Sequence, residues 1–140
     1  MTITIRQTGD IATCRALRRT VFTEEQGVPE TDEVDDKDDA AIHLLLCEGD
    51  VPLGSARLLL GSGYVKIGRV CVLKSARGRG FGADLIRAAV DTARSLPDMG
   101  HVTLGAQTHA TGFYQALGFS PVGPEFMDAG IPHQEMTLGL

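Results

Sequence analysis

A chain of 140 residues is the size of one ordinary folded domain. Its 43% apolar and 22% charged residues lie near the averages of globular proteins, which excludes a disordered chain and a coiled coil. The net charge of −5 argues against nucleic-acid binding, which needs a basic face. The sequence holds no run of ~18 apolar residues that could span a membrane and no export signal at its start, so a cytoplasmic protein is expected.

The first forty residues predict a strand, a helix and an acidic loop. Residues 2–5 alternate Thr and Ile, as a short strand does. Asp10 can cap a helix that runs to about Glu25, because apolar residues then recur at intervals of three and four. Residues 30–40 are too acidic to pack and are expected to form an exposed, solvated loop, with Arg57 as a pairing partner. Their spacing lacks the central Gly and closing Glu of a calcium-binding EF-hand loop.

The middle of the chain predicts an antiparallel meander. Three apolar strands are expected over residues 41–47, 51–60 and 64–73, with turn sequences between them. Pro52 and Gly54 near the start of the second strand indicate an edge strand or a bulge.

The rest of the chain alternates helices and strands. An amphipathic helix is predicted over residues 80–94, and the strand after it, residues 101–106, is expected to run parallel to the strand before it. A short helix over residues 108–117 and strands over residues 119–122 and 134–138, with a Pro/Gly loop between the two strands, complete the pattern. The whole chain is therefore expected to form one mixed α/β domain.

Three cysteines, Cys14, Cys47 and Cys71, are odd in number and widely spaced. They match no metal-binding pattern and no disulfide framework. Each has apolar neighbours, so buried, reduced thiols are expected, and no metal site.

A glycine-rich loop with two arginines leads into the longer helix, with the sequence Arg77-Gly78-Arg79-Gly80-Phe81-Gly82-Ala83. Glycines allow the backbone to approach a ligand closely, and a helix N-terminus offers unpaired N–H groups and the positive end of the helix dipole. The arginines add positive charge and hydrogen-bond donors. Together these features predict a site for a phosphate or a pyrophosphate.

Two common phosphate-binding loops do not fit this sequence. The Walker loop closes on Gly-Lys-Ser/Thr, which is missing here. The Rossmann fingerprint is Gly-x-Gly-x-x-Gly at the opening of a βαβ unit, whereas the spacing here is Gly78-x-Gly80-x-Gly82 after antiparallel strands. A tight turn that binds nothing is the remaining structural alternative.

The segment Arg77-x-x-Gly80-x-Gly82-Ala83 resembles the Q/R-x-x-G-x-G/A signature of the GNAT N-acetyltransferase superfamily. A later segment, Phe113-Tyr114-Gln115-Ala116-Leu117-Gly118-Phe119, resembles that family's F-Y-x-x-x-G-F segment. The resemblance implies an α/β (α+β) fold of GNAT type, with a mixed, mostly antiparallel central sheet and flanking helices in a single domain. It also implies acetyl-coenzyme A as acyl donor and no metal.

The resemblance implies particular cofactor contacts. In the family the loop amides hold the coenzyme A pyrophosphate, which here implies Arg77, Gly78, Arg79, Gly80, Phe81, Gly82 and Ala83. The backbone of Val70, Cys71 and Val72 is expected to bind the pantetheine arm. His109 stands where many members have a cofactor-contacting Asn, and it is expected to bind the same arm or to cap the helix.

Further segments resemble the ElaA/YjcF-like branch of the GNAT proteins. They are Val21-Phe22-x-x-Glu25-Gln26-x-Val28-Pro29, the stretch 33–44 with its acidic residues and His43, and the closing Gly130-Ile131-Pro132-His133-x-x-Met136. This finer likeness does not name an acceptor.

Acetyl transfer to an amine needs a neutral amine, a polarised carbonyl and a proton for the leaving thiolate. The resemblance implies that Tyr114 contacts the cofactor near the coenzyme A sulfur and is the candidate general acid. A phenol with a pKa of about 10 stays protonated at neutral pH and can donate to a thiolate. Glu25 is a candidate general base or a residue that binds a cationic acceptor. His133 is a candidate general base or a residue that contacts the acceptor. Cys71 is not expected to act as a nucleophile, and His43 is expected to be structural.

The predicted function is acetyl transfer to a primary amine on a small molecule or a protein. One alternative is a reaction like acyl-homoserine-lactone synthesis, which is echoed by Arg18, Phe22, Glu33, Asp35, Asp38 and Arg57. Another alternative is a non-catalytic acyl-coenzyme A sensor. No nucleic-acid or membrane partner is expected, and the protein is expected to be a monomer or a homodimer.

Overall fold

Seven strands form one mixed sheet in the computed structural model, which describes residues 2–140. The strands are β1 (Ile3–Thr8), β2 (Ile42–Glu48), β3 (Val51–Leu60), β4 (Tyr64–Val72), β5 (His101–Gln107), β6 (Ser120–Asp128) and β7 (Ile131–Gly139). Their order across the sheet is β1-β2-β3-β4-β5-β7-β6. Among these neighbours β4 and β5 run parallel and the other pairs antiparallel, which confirms the predicted mixed, mostly antiparallel sheet.

The α-helices of the described residues are α1 (Ile11–Arg18), α2 (Glu30–Glu33), α3 (Phe81–Arg94) and α4 (Thr111–Ala116). Helix α1 begins at Asp10, whose side chain accepts a hydrogen bond from the Thr13 N–H at 3.1 Å, as predicted. It continues as a π-helical segment, Arg19–Glu25, so the helical stretch ends where the sequence indicates. Short 3₁₀ turns lie at Asp38–Ala40, Lys74–Ala76 and Thr108–Ala110.

Strand β2 is apolar on both faces because helices cover both sides of the sheet. Leu44 and Leu46 belong to the larger core cluster, to which α3 also contributes. Leu45 and Cys47 belong to a second cluster with apolar residues of α1. A strand buried on both faces has a near-continuous apolar sequence, which explains the run of residues 44–47.

The acidic stretch corrects part of a prediction, because most of its residues are exposed as expected but two of its carboxylates are buried. Glu33, at the end of α2, is 4% exposed and Asp38 is 1% exposed. Both carboxylates accept hydrogen bonds from the buried guanidinium of Arg18, so ion pairing replaces hydration. The predicted partner is present: Arg57 donates from Nη1 to Asp35 at 2.8 Å.

One prediction about the strands is confirmed and another is corrected. Pro52 and Gly54 do not mark an edge strand, because β3 lies between β2 and β4, although the bulge that they indicated exists as a register shift in the β2–β3 pair. The Pro/Gly loop expected after residue 122 is strand instead. Strand β6 runs on to Asp128 and pairs with β7, and a register shift within β6 accommodates the prolines and glycine.

The parallel strands β4 and β5 separate soon after they pair. Residues 64–66 of β4 pair with residues 101–103 of β5, and pairing stops there. Beyond that point β4 keeps its partner β3 on one side and has no strand on the other within residues 2–140. In this stretch Arg69 and Val70 oppose the single residue Ala56, and Arg69 has a φ angle of 51°. This bulge and the free strand edge border a gap in the sheet.

Candidate functional site

The glycine loop has the backbone that its sequence predicts. Gly78 and Gly80 have φ angles of 81° and 80°, a region that residues with a side chain rarely adopt. The first internal hydrogen bond of α3 runs from the Asp84 N–H to the Gly80 carbonyl at 3.1 Å. The N–H groups before Asp84 therefore have no helical acceptor, and no side chain caps the helix in the described chain. This helix end can bind an anionic group.

The two loop arginines are held by carboxylates from distant parts of the sequence. Arg77 donates from Nη2 to Glu25 at 2.8 Å, contacts the other oxygen through Nη1, and donates from Nε to the Val72 carbonyl at 3.1 Å. Arg79 donates from Nη2 to Glu48 at 2.7 Å. Both arginine side chains are more than one-third exposed, so a bound anion could reach them from solvent.

A cleft of about 280 Å³ lies where β4 and β5 separate. Arg69 and Val70 line it from β4, and Leu104 and Gly105 line it from β5. The π-helical segment closes another side through Phe22. Because β4 leads from this cleft to the glycine loop, an extended ligand bound at the loop could follow β4 into the cleft.

Tyr114 lies on α4 with its ring packed edge-on against two phenylalanines. The ring centres are 5.0 Å from Phe113 and 6.1 Å from Phe119. The side chain lines the cleft, and its hydroxyl has no hydrogen-bond partner within residues 2–140. Burial raises the pKa of Tyr114 above its ordinary value. A protonated, unengaged hydroxyl at the cleft can donate to a group bound there.

His133 reaches the cleft from β7. Its Nδ1 lies 2.7 Å from the Ile131 carbonyl oxygen, which can only accept, so Nδ1 carries the proton when the ring is neutral. Nε2 then keeps its lone pair and can take up a proton. The ring stacks on Phe126 with 5.7 Å between centres, which fixes its orientation.

The other predicted site residues lie apart from these two. Glu25 does not line the cleft in the described structure, although its neighbour Gln26 does. Arg77 lowers the pKa of Glu25 through hydrogen bonding, which keeps this carboxylate ionised. His109 is exposed, with Nε2 2.8 Å from the Gln107 amide oxygen.

Cys71 and His43 are buried within the fold. The Cys71 sulfur lies 3.4 Å from the Ser55 hydroxyl, and burial raises the pKa of the thiol, so it is a poor nucleophile as expected. His43 donates from Nε2 to the Asp38 carbonyl at 2.8 Å, a structural contact as expected. All three cysteines are free and buried, and burial raises the pKa of Cys14 to about 11.

A buried charge cluster lies beside the cleft. Arg18 donates to Glu33 at 2.6 Å and to Asp38 at 2.7 Å and 3.0 Å. Arg57 donates to Asp35 at 2.8 Å and to Asp38 at 3.1 Å. Burial by itself would raise the pKa of Asp38, but the hydrogen bonds from the arginines, Arg18 first, hold it well below its usual range.

This cluster was not predicted from the sequence, although one signal for it is present there. Arg18 lies four residues after Cys14 and three before Val21, on the helical stripe that packs against the sheet. A charged residue at such a position needs a buried counter-charge. The acidic stretch at residues 30–40 supplies it.

Neither a membrane span nor a metal cluster is found in residues 2–140. No helix there combines the length and the apolar character that crossing a membrane requires. No three His, Cys, Asp or Glu side chains of these residues are grouped so that they could hold a metal ion.

Residues 19–140 match the sequence profile described as an acetyltransferase (GNAT) domain. This chain belongs to the GNAT acetyltransferase family. A relative of this GNAT protein is YjcF of Bacillus subtilis (strain 168), named an uncharacterized N-acetyltransferase. It is 38% identical over 121 residues, which cover 86% of each chain.

Two solved structures resemble this GNAT protein over nearly its full length. The crystal structure of Escherichia coli ElaA is 32% identical, with a TM-score of 0.85, and the match covers 97% of this chain and 99% of ElaA. The crystal structure of an acyl-CoA N-acyltransferase from Pseudomonas aeruginosa is also 32% identical, with a TM-score of 0.86, and covers 97% of both chains. The likeness to the ElaA/YjcF-like branch is therefore confirmed.

Proposed function

We propose that this protein transfers the acetyl group of acetyl-coenzyme A to a primary amine. The observation that carries the proposal is that the N-terminus of α3, the free edge of β4 and the cleft with Tyr114 and His133 follow one another in space. A pyrophosphate suits the unpaired N–H groups of the helix. An extended arm with amide groups suits a free strand edge, and the cleft can take a thioester and an amine together.

The loop and the strand edge are the proposed cofactor site. The backbone of residues 77–83 would hold the pyrophosphate, and Arg77 and Arg79 would add charge. The backbone of Val70, Cys71 and Val72 would hold the pantetheine arm, since the Cys71 thiol is buried. The His109 ring pairs with Gln107 in the turn before α4, so a contact with the arm would be secondary to that pairing.

The proposed reaction is a direct attack of the amine on the thioester carbonyl. A C–N bond forms, the C–S bond breaks, and coenzyme A leaves as a thiolate. His133 accepts the amine proton at Nε2, which the hydrogen bond at Nδ1 keeps free. Tyr114 donates its proton to the thiolate, and its raised pKa keeps it in the donor form at neutral pH.

Glu25 is the weaker candidate for the base. Its carboxylate pairs with Arg77, which lowers its pKa and makes it a poor proton acceptor near neutral pH. In our proposal Glu25 positions the loop and His133 does the proton transfer. The residues that echo acyl-homoserine-lactone synthases give no support to that reaction, because Arg18, Glu33, Asp35 and Asp38 are engaged in the buried cluster.

Calorimetric titration with acetyl-coenzyme A tests the cofactor site. Gly80→Asp places a carboxylate on the loop at a φ of 80°, and we expect binding to weaken at least about 100-fold. Gly63→Asp is the matched control: Gly63 has a φ of 81° and open space around it, but lies in the β3–β4 turn. Equal affinity of wild type and Gly80→Asp would refute the proposed cofactor site.

A screen of primary amines tests the reaction. The assay follows release of the coenzyme A thiol with acetyl-coenzyme A as donor, using small amines and peptides with free amino groups. We expect thiol release that depends on the acceptor and is accompanied by an N-acetylated product. Cofactor binding without turnover on any amine would favour the sensor alternative.

A further inference from the structure

Arg69 is a partly buried cation at the cleft, and its contacts within the fold are long or incomplete. Its Nη2 donates to the Glu33 carbonyl at 3.1 Å, and lies 3.4 Å from Asp35 and 3.5 Å from the Asp32 carbonyl. Nε is buried without a hydrogen-bond partner, and the Glu33 carboxylate is 3.7 Å away, too far for one. Nη1 makes no hydrogen bond in the described chain, and it is not buried.

The arginines of the buried cluster are not equally well paired. Arg18 and Arg57 donate to Glu33, Asp35 and Asp38 at 2.6 to 3.1 Å. Arg69 lies 3.7 Å from the Glu33 carboxylate and 3.4 Å from that of Asp35, and of these three arginines it is the one that lines the cleft. Burial and then the neighbouring Arg57 lower the pKa of Arg69, as expected for a cation that lacks sufficient compensation.

The backbone at Arg69 has a conformation that residues with a side chain rarely adopt. Arg69 has a φ of 51° in the β4 bulge, where most residues with a side chain are strained by about 1–2 kcal/mol. The bulge lies on the free edge of β4, and the side chain remains 26% exposed at the wall of the cleft. Strain of this kind recurs at ligand sites.

We propose that Arg69 is a specificity-determining residue that binds a carboxylate on the acceptor. The acceptor is then a small amino acid or a similar amine that carries a carboxylate, and this proposal rests on the amine acetyltransferase function proposed above. A carboxylate can supply the short contacts that Arg69 lacks within the cluster. The two N–H groups of Nη1 supply its hydrogen bonds, and the cleft holds the amine of the same molecule within reach of His133.

Other charges at the cleft do not replace Arg69 in this role. Lys66 lines the cleft as an exposed cation, and Asp32 and Asp128 line it as exposed carboxylates. Water and salt screen exposed charges strongly, whereas a partly buried guanidinium is screened much less. Arg69 therefore supplies the persistent attraction for an anionic group.

The test compares acceptors that differ only in the carboxylate. Glycine, β-alanine and 4-aminobutyrate are each paired with the corresponding carboxamide, and kcat/KM is measured for wild type and Arg69→Asn. Asn tolerates a positive φ better than most residues and removes the cation. We expect Arg69→Asn to lower kcat/KM about 10- to 100-fold for the best carboxylate acceptor, mostly through KM, and less than about 3-fold for its carboxamide.

Each acceptor is compared with itself across variants, so the different amine pKa values of acid and amide cancel. Arg87→Asn, a change on the exposed face of α3, is the control for loss of a positive charge. Lys66→Asn reports whether any cation at the cleft has the same effect. If Arg69→Asn does not fold, Arg69→Lys keeps the charge without the planar guanidinium, and an intermediate rise in KM for carboxylates is expected.

The outcomes separate this proposal from the function on which it rests. Equal losses for acid and amide, or the same selective loss in Lys66→Asn, would overturn the role of Arg69. Failure of wild type to bind acetyl-coenzyme A would instead overturn the proposed function. If no acceptor of the panel turns over, the proposal is tested by measuring the binding of N-acetylglycine and of its amide to the complex of the protein with coenzyme A. We expect wild type to bind the acid at least about 10-fold more tightly than the amide, and Arg69→Asn to lose that preference. The absence of a preference in wild type would overturn the proposal.

Discussion

The Glu25 carboxylate and the Arg77 guanidinium form a bidentate ion pair that joins the end of the first helical stretch to the glycine loop. Arg77 donates from Nη2 to Glu25 at 2.8 Å and from Nη1 to the second oxygen. The same arginine donates from Nε to the Val72 carbonyl at the end of β4, at 3.1 Å. One side chain thus connects three of the elements around the proposed cofactor site.

This arrangement predicts that Glu25 is a positioning residue. In Glu25→Gln we expect kcat to fall less than about 10-fold, because the carboxylate is paired and its lowered pKa makes it a weak base. The Kd for acetyl-coenzyme A should change by about 5-fold or less, since an exposed ion pair contributes at most about 1 kcal/mol. Glu48→Gln, which breaks the Arg79 pair on the same loop, is the matched control. A loss of kcat above about 100-fold would identify Glu25 as the base.

Tyr114→Phe should separate turnover from binding. The hydroxyl has no hydrogen-bond partner in the described chain, so its removal should change the free energy of unfolding by less than about 0.5 kcal/mol. Acetyl-coenzyme A should bind as before, whereas kcat should fall about 100-fold or more if the phenol protonates the thiolate. Phe113→Leu, on the exposed neighbouring ring, controls for general disturbance of α4. Unchanged kcat in Tyr114→Phe would exclude the phenol as the acid.

The pH dependence of wild type tests the same assignment. Burial raises the pKa of Tyr114 above about 10, so the phenol loses its proton only at higher pH. The proton donor is then fully present through the neutral range, and ionisation of Tyr114 should reduce kcat only above pH ~10. An alkaline loss of kcat that begins well below this pH and disappears in Tyr114→Phe would contradict the raised pKa.

His133→Ala removes the proposed base and leaves space beside Phe126. We expect kcat to fall about 100-fold or more, because positioned general bases contribute roughly that much. Added imidazole should restore part of the activity in a saturable manner, since it can occupy the vacated space and accept the proton. Methylated imidazoles that are too large for that space serve as controls. Full activity without imidazole would exclude His133 as the base.

The sequence predicted the glycine loop and its helix because their signals are local. Gly78 and Gly80 mark positive φ angles, and the apolar stripe of residues 80–94 marks α3. The parallel direction of β4 and β5 followed from the helix between them, because parallel neighbours need a crossover connection that is usually a helix. The separation of these strands, which makes the cleft, has no local signal, because it depends on how far two distant segments pair.

Most of the buried charge cluster was missed for a related reason. Arg18, Asp38 and Arg57 are separated in sequence and meet only after β2 and β3 pair and α1 packs on them. Taken singly, each acidic residue of the stretch 30–40 is expected in solvent, because unpaired carboxylates are almost never buried. The same limit hid the weak pairing of Arg69, which appears only from its distances to Glu33 and Asp35 in the folded chain.

Asp38→Asn tests the energetic role of that cluster. Removing one partner of a buried ion pair leaves the other charge uncompensated, and we expect the free energy of unfolding at pH 7 to fall by about 3 kcal/mol. Asp39→Asn, at the exposed neighbouring position, should change it by less than about 0.5 kcal/mol. Urea unfolding of both variants and wild type gives the comparison, and equal losses in the two would show that the pairing does not stabilise the fold.

The pH dependence of this difference has a defined sign. The pKa of Asp38 is lowered in the folded protein relative to about 3.9 in the unfolded chain. The ionised carboxylate therefore stabilises the fold fully above the unfolded-state pKa, and this stabilisation is lost as the pH falls through the lowered pKa of the folded state. The amide side chain that Asp38→Asn introduces does not titrate. The stability gap between wild type and Asp38→Asn should therefore stay constant from pH 7 to about 5 and narrow below about 4, and a gap that widens on acidification would contradict the ion-paired state of Asp38.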